Sequence, residues 1–181
     1  MIKVSRRAAA AAAAVLALGI GSATWATTSA SAATAKPAAP SFIPRCTTGQ
    51  LAAWVNADSA NGAAGTIYYH LDLTNTGRRT CWVFGWPGVS AVNWAGHQLG
   101  VPAVRRHDVR PRIVNIRPGG TAHSTLGYVD VQVTPSCRPT IATFLKVYPP
   151  ANRNALHAFF PLPVCTTGTW DLTIGLVQAG A

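Results

Sequence analysis

Thr66-Ile67-Tyr68-Tyr69-His70-Leu71-Asp72-Leu73-Thr74, followed at once by Asn75-Thr76-Gly77, has an apolar period of two. Ile67, Tyr69, Leu71 and Leu73 occupy every second position, and Thr66, Tyr68, His70, Asp72 and Thr74 fill the places between. Successive side chains of a strand point to opposite faces, so this spacing gives a strand with one buried and one wet face. A helix would need apolar residues three and four apart. Asn75 and Gly77 tolerate positive φ and mark the turn that ends the strand.

The same signature recurs on both sides. Residues 80–84, 89–94 and 113–116 read as strands, the last closed by the turn Pro118-Gly119-Gly120. Residues 121–133 carry two apolar phases, with Leu126 and Tyr128 on one and Val129, Val131 and Val133 on the other. A β-bulge near Gly127 would join them. Residues 144–148 form a strand stopped by Pro149-Pro150, and Trp170, Leu172, Ile174 and Leu176 alternate in a last one. Residues 50–56 fit a strand or a single helical turn. About eight short strands separated by Gly, Pro and Asn predict an all-β fold, an antiparallel, immunoglobulin-like β-sandwich.

Residues 1–32 read as a secretion signal. Lys3, Arg6 and Arg7 precede an apolar run over residues 8–20, and Ala30-Ser31-Ala32 offers a cleavage site after Ala32. At 1.5 Å per residue the run covers about 20 Å, short of the roughly 30 Å hydrocarbon core. Residues 33–44, rich in Pro and Ala, read as a tether, and residues 45–181 as one domain. Export sends the four cysteines, Cys46, Cys81, Cys137 and Cys165, into an oxidising environment, where two structural disulfides are expected. Three pairings are open to four cysteines; Cys46–Cys81 with Cys137–Cys165 is the favoured one. No C-x-x-C or His-x3–5-His spacing points to redox or zinc chemistry, and no metal or cofactor is expected.

The formal net charge is +10, about +7 once the signal is gone, and the only acids are five aspartates. A positive field favours anionic partners such as a cell-wall polymer or a membrane surface. An abundance of Ala, Gly and Arg with little Lys fits a high-GC bacterium.

The order of landmarks carries a family resemblance. A Cys near the mature start precedes Gly65-Thr66-Ile67, then Leu73-Thr74-Asn75-Thr76-Gly77, then Cys81-Trp82-Val83-Phe84-Gly85-Trp86-Pro87-Gly88-Val89, then Pro118-Gly119-Gly120-Thr121-Ala122 and two further cysteines. From residue 45 to residue 177 this resembles a domain family of unknown function from secreted and lipid-anchored actinobacterial proteins. The resemblance implies a disulfide-bonded β-sandwich with an extracytoplasmic life, and no activity. The anchoring cysteine of many relatives is missing, so free secretion is expected.

Chemistry-bearing residues are sparse. There is no G-x-S-x-G elbow, no H-E-x-x-H and no phosphate loop. His70 and Asp72 share the wet face of one strand about 7 Å apart, His123 and Thr125 share another, and Ser124 or Ser136 would be needed to complete a triad. The densest feature is Arg105-Arg106-His107-Asp108-Val109-Arg110-Pro111-Arg112, whose forked guanidinium donors suit phosphate or carboxylate. Of the clustered tryptophans, Trp82 is expected against the disulfide and Trp86 in the open, available for stacking.

The sequence therefore predicts a monomeric, noncatalytic, secreted binding or cell-surface domain. Contact with an anionic polymer or surface would run through Arg105, Arg106, Arg110 and Arg112, with Trp86 beside them. Specific nucleic-acid recognition is not expected. A secreted protease inhibitor, presenting residues 134–139 or the Pro149-Pro150 loop, is the alternative; an enzyme ranks third.

Overall fold

The computed structural model describes residues 42–134, 136–167 and 171–180. The expected signal and the first part of the tether, to residue 41, lie outside the described residues. Among the described residues there are eleven strands: β1 (Leu51–Ala63), β2 (Thr66–Asn75), β3 (Cys81–Val83), β4 (Gly88–Val92), β5 (Gln98–Leu99), β6 (Val104–Arg105), β7 (Val114–Ile116), β8 (Thr121–Val129), β9 (Pro139–Tyr148), β10 (Leu156–Cys165) and β11 (Leu172–Ala179). Five of them form one sheet in the order β1-β2-β8-β11-β6, and four form another in the order β10-β9-β4-β5. The short pair β3-β7 stands apart. The pairings are antiparallel except that of β6 with β11.

This is the all-β sandwich expected, with more strands than expected because four are only two or three residues long. The alternation in β2 behaves as read: Leu71 and Leu73 are fully buried, while Tyr68, His70 and Thr74 stand on the outer face. Leu71, Leu126 and Ile174 from one sheet share a core with Val89, Leu145 and Val147 from the other. Tyr69 of β2 and Phe160 of β10 meet edge to face across the layers, centroids 5.0 Å apart.

Several boundaries differ from the sequence reading for identifiable reasons. Residues 50–56 belong to a 3-10 turn (Thr48–Gln50) and to β1 rather than to a helix. β8 keeps one inward phase, Ala122, Ser124, Leu126 and Tyr128, and ends at Val129. The second phase inferred there is a 3-10 turn (Val131–Val133) capped by Asp130, whose side chain accepts from the Gln132 N–H at 3.0 Å. The bulge lies instead in β11, where Gly175 and Leu176 together oppose Thr125. Val177 consequently takes the inward position that strict alternation would have given Leu176; Trp170 falls outside the described residues. β10 was not anticipated, because Pro161 and Pro163 argue against a central strand. It is an edge strand with a bulge between Phe159 and Leu162, and proline is tolerated in both settings.

The disulfides pair Cys46 with Cys81 and Cys137 with Cys165, with Cα separations of 4.8 and 5.2 Å. Such bridges suit an extracellular or otherwise oxidising environment. No helix among the described residues is long and apolar enough to cross a membrane. Trp82 does not follow its neighbour Cys81 into the core. It takes the opposite side of β3, half-buried, beneath the Arg45 guanidinium at 4.6 Å.

Candidate functional site

The outer face of the five-stranded sheet carries two adjoining rows of polar and aromatic side chains. Antiparallel register sets Trp54, Asp72, His123 and Gln178 in one row across β1, β2, β8 and β11, and Asn56, His70 and Thr125 in the next. The His70 and His123 rings stack 4.3 Å apart with an interplanar angle of 18°. Trp54 donates its indole N–H to the Thr74 hydroxyl at 3.2 Å, and Thr74 and Thr121 are hydrogen-bonded at 2.9 Å. The Tyr68 ring fills the space over Gly127, where a Cβ would come within 3.1 Å of it.

These neighbours set the electrostatics. Burial lowers the His123 pKa below the ordinary imidazole value, His70 adds to the effect, and Asp72 opposes it. Burial raises the Asp72 pKa above the carboxylate value, and the two histidines counteract this only in part. Imidazole nitrogens can donate or accept hydrogen bonds, so the stacked pair beside the Asp72 carboxyl offers both functions on this face.

The basic segment overhangs one end of this face. Residue 106 is fixed at its backbone from two sides: its N–H donates to the Ile174 carbonyl at 2.9 Å, and its carbonyl accepts from the Trp86 indole at 2.7 Å. The Arg106 guanidinium pairs with Asp108 at 2.7 Å and lies 5.5 Å from the Tyr68 ring centre. Trp86 is half-buried and also packs against the His107 ring, centroids 4.6 Å apart and tilted by 47°, so it braces the segment instead of standing free. Arg105, Arg110 and Arg112 are exposed, and none has a carboxylate partner among the described residues.

Three open hollows run along the face. One of about 270 Å³ holds Trp54, Asn56, Asp72 and His123; one of about 430 Å³ holds Asn61, Tyr68, Arg106 and Thr125; and His70 lines both. The third, about 460 Å³, contains Arg110 and Arg112 and shares Val109, Leu176 and Gln178 with the second.

Of the sequence-predicted residues, the structure thus brings Arg106, Arg110, Arg112 and, indirectly, Trp86 to one surface. Arg105 sits on β6 at the sheet edge and lines none of these three hollows. Ser124 is fully buried on the core side of β8, opposite to His123, and so does not meet the His70–Asp72 pair. Pro149 and Pro150 are buried, so that turn does not project. Trp54, Asn61, Tyr68 and Gln178 were not foreseen as site residues. The outward phase of β2 was the signal for Tyr68; Trp54, Asn61 and Gln178 lie on β1 and β11, and placing them needed the register that sets those strands beside it.

The sequence matches the family described as Domain of unknown function (DUF4232) over residues 46–178. The chain belongs to the DUF4232 family. The matched stretch holds all four cysteines and every lining residue named above. No curated protein and no solved structure matches the DUF4232 domain described here.

Proposed function

We propose that this DUF4232 protein is an exported, noncatalytic binding domain for an anionic polymer or surface, freely secreted by an actinobacterium and retained near its cell wall. The observation that carries the reading is the exposed pair Arg110 and Arg112, which lines an open hollow with no carboxylate partner among the described residues. Asp108 neutralises only Arg106. From residue 45 onward the chain holds eleven basic residues against five aspartates, so the wider field reinforces the local one. Two disulfides and the apolar leader at residues 8–20 support export.

Exposed guanidinium groups attract polyanions over about one Debye length, so this binding is salt-sensitive. With dextran sulfate or phosphatidylglycerol vesicles as probes, affinity is expected to fall about tenfold between 0.05 and 0.3 M NaCl. Arg110→Gln with Arg112→Gln is expected to weaken binding about fivefold without shifting the melting temperature, since both side chains are exposed. Adding Arg105→Gln and Arg106→Gln should weaken it further. Salt-independent binding, or no change in the double variant, would overturn the reading.

A further inference from the structure

The trough that begins at Arg110 and Arg112 does not stop at the basic end. Through Leu176 and Gln178 it opens into the hollow under Arg106, and through His70 into the hollow beside Trp54. From β1 to β6 the sheet spans four inter-strand steps, about 19 Å. Away from the basic end the lining changes character. Asn61, His70, His123 and Thr125 present hydrogen-bond donors and acceptors there, with the Asp72 carboxyl beside the two imidazoles.

Two aromatic rings complete this lining. Trp54 is 45% exposed although it sits within a strand, and its indole is held by Thr74. Tyr68 lies over the bare backbone of Gly127. An exposed indole and a half-buried tyrosine ring lining the hollows, interleaved with hydrogen-bonding groups, match a chain of hydroxyl-bearing rings: apolar ring faces meet the aromatics, and hydroxyls meet the amides and imidazoles. A lipid would need an apolar cavity, and a bare polyphosphate has no use for Trp54 or the stacked imidazole rings.

We infer that the trough binds an acidic glycan, with its anionic groups at Arg106, Arg110 and Arg112 and its sugar rings laid across the strands between Tyr68 and Trp54. This rests on the polyanion-binding reading above and names the class of polymer.

The test compares hyaluronan fragments, which carry sugar rings and carboxylates, with inorganic polyphosphate, which carries charge alone. Hyaluronan affinity is expected to rise with fragment length until the trough is filled. Trp54→Ala, and separately His70→Gln, should weaken hyaluronan at least fivefold and leave polyphosphate unchanged, with melting temperature as the control for folding. Arg110→Gln with Arg112→Gln should weaken both probes. If polyphosphate binds, and hyaluronan binds no better and ignores both Trp54→Ala and His70→Gln, the glycan assignment fails while polyanion binding stands. If neither probe binds, both fail.

Discussion

At position 123 the fold holds an imidazole that resists protonation. His123 is half-buried against His70, and its folded pKa lies below the ordinary value near 6.5. As pH falls through that value the unfolded chain takes up the proton first, so stability present at pH 7 is lost on acidification. Asp72 acts with the opposite sign. Its folded pKa is raised, so the native state holds its proton to higher pH, and stability falls as pH rises through the range above about 3.9. The two windows are centred apart, which allows a direct measurement. The melting temperature is expected to drop between pH 7 and pH 5.5, and His123→Gln should flatten that slope. An equal slope in the variant would place the proton uptake elsewhere. The sequence showed that His70 and Asp72 share an outward phase. It did not show that His123 stacks on His70, because that contact depends on the long-range register of β2 with β8.

Between elements, Asn75 does what no hydrophobic residue could. It is fully buried at the end of β2, and its Nδ2 donates to the carbonyls of Arg79 and Ile116 at 2.9 and 2.8 Å. Its Oδ1 accepts from the Gly77 N–H at 2.9 Å, while its backbone bonds to both Gly119 and Gly120. One side chain therefore closes the turn after β2 and fastens it to the end of β7. Asn75→Ala leaves the buried Ile116 carbonyl and the partly buried Arg79 carbonyl without this donor and is expected to cost about 3 kcal/mol in urea unfolding. Asn75→Asp, which keeps the acceptor and loses both donors, should recover little; a loss under about 1 kcal/mol for the alanine variant would refute the role. The turn itself was legible from Asn75 and Gly77, but its second anchor was not. Elements were legible where alternation was clean, as in β2, and obscured where a bulge or proline shifted the phase, as in β10 and β11. Gly100 shows a constraint of the same hidden kind: its φ is +66°, and a Cβ there would lie 2.5 Å from the Cys165 carbonyl oxygen.

Across the whole molecule the two disulfides close separate stretches, 35 and 28 residues apart in sequence. Loops of that size stabilise by about 3.5–4 kcal/mol each in the chain-entropy description. Replacing Cys46 and Cys81 together with Ala is expected to remove most of that amount, a large part of a typical total of about 5–15 kcal/mol. Chemical unfolding of the double variant checks this, and a change below about 1 kcal/mol would contradict it. The pairing was the favoured one of three, and Cα separations of 4.8 and 5.2 Å are what make it feasible. The first bridge also has a mechanical meaning. Trp54, Tyr68, His70 and Asp72 all lie between Cys46 and Cys81. A pull on the two ends of the domain passes through the sulfur–sulfur bond and bypasses β1 and β2. Tension can stretch the rest of the chain while leaving those strands slack, so half of the trough stays outside the line of force.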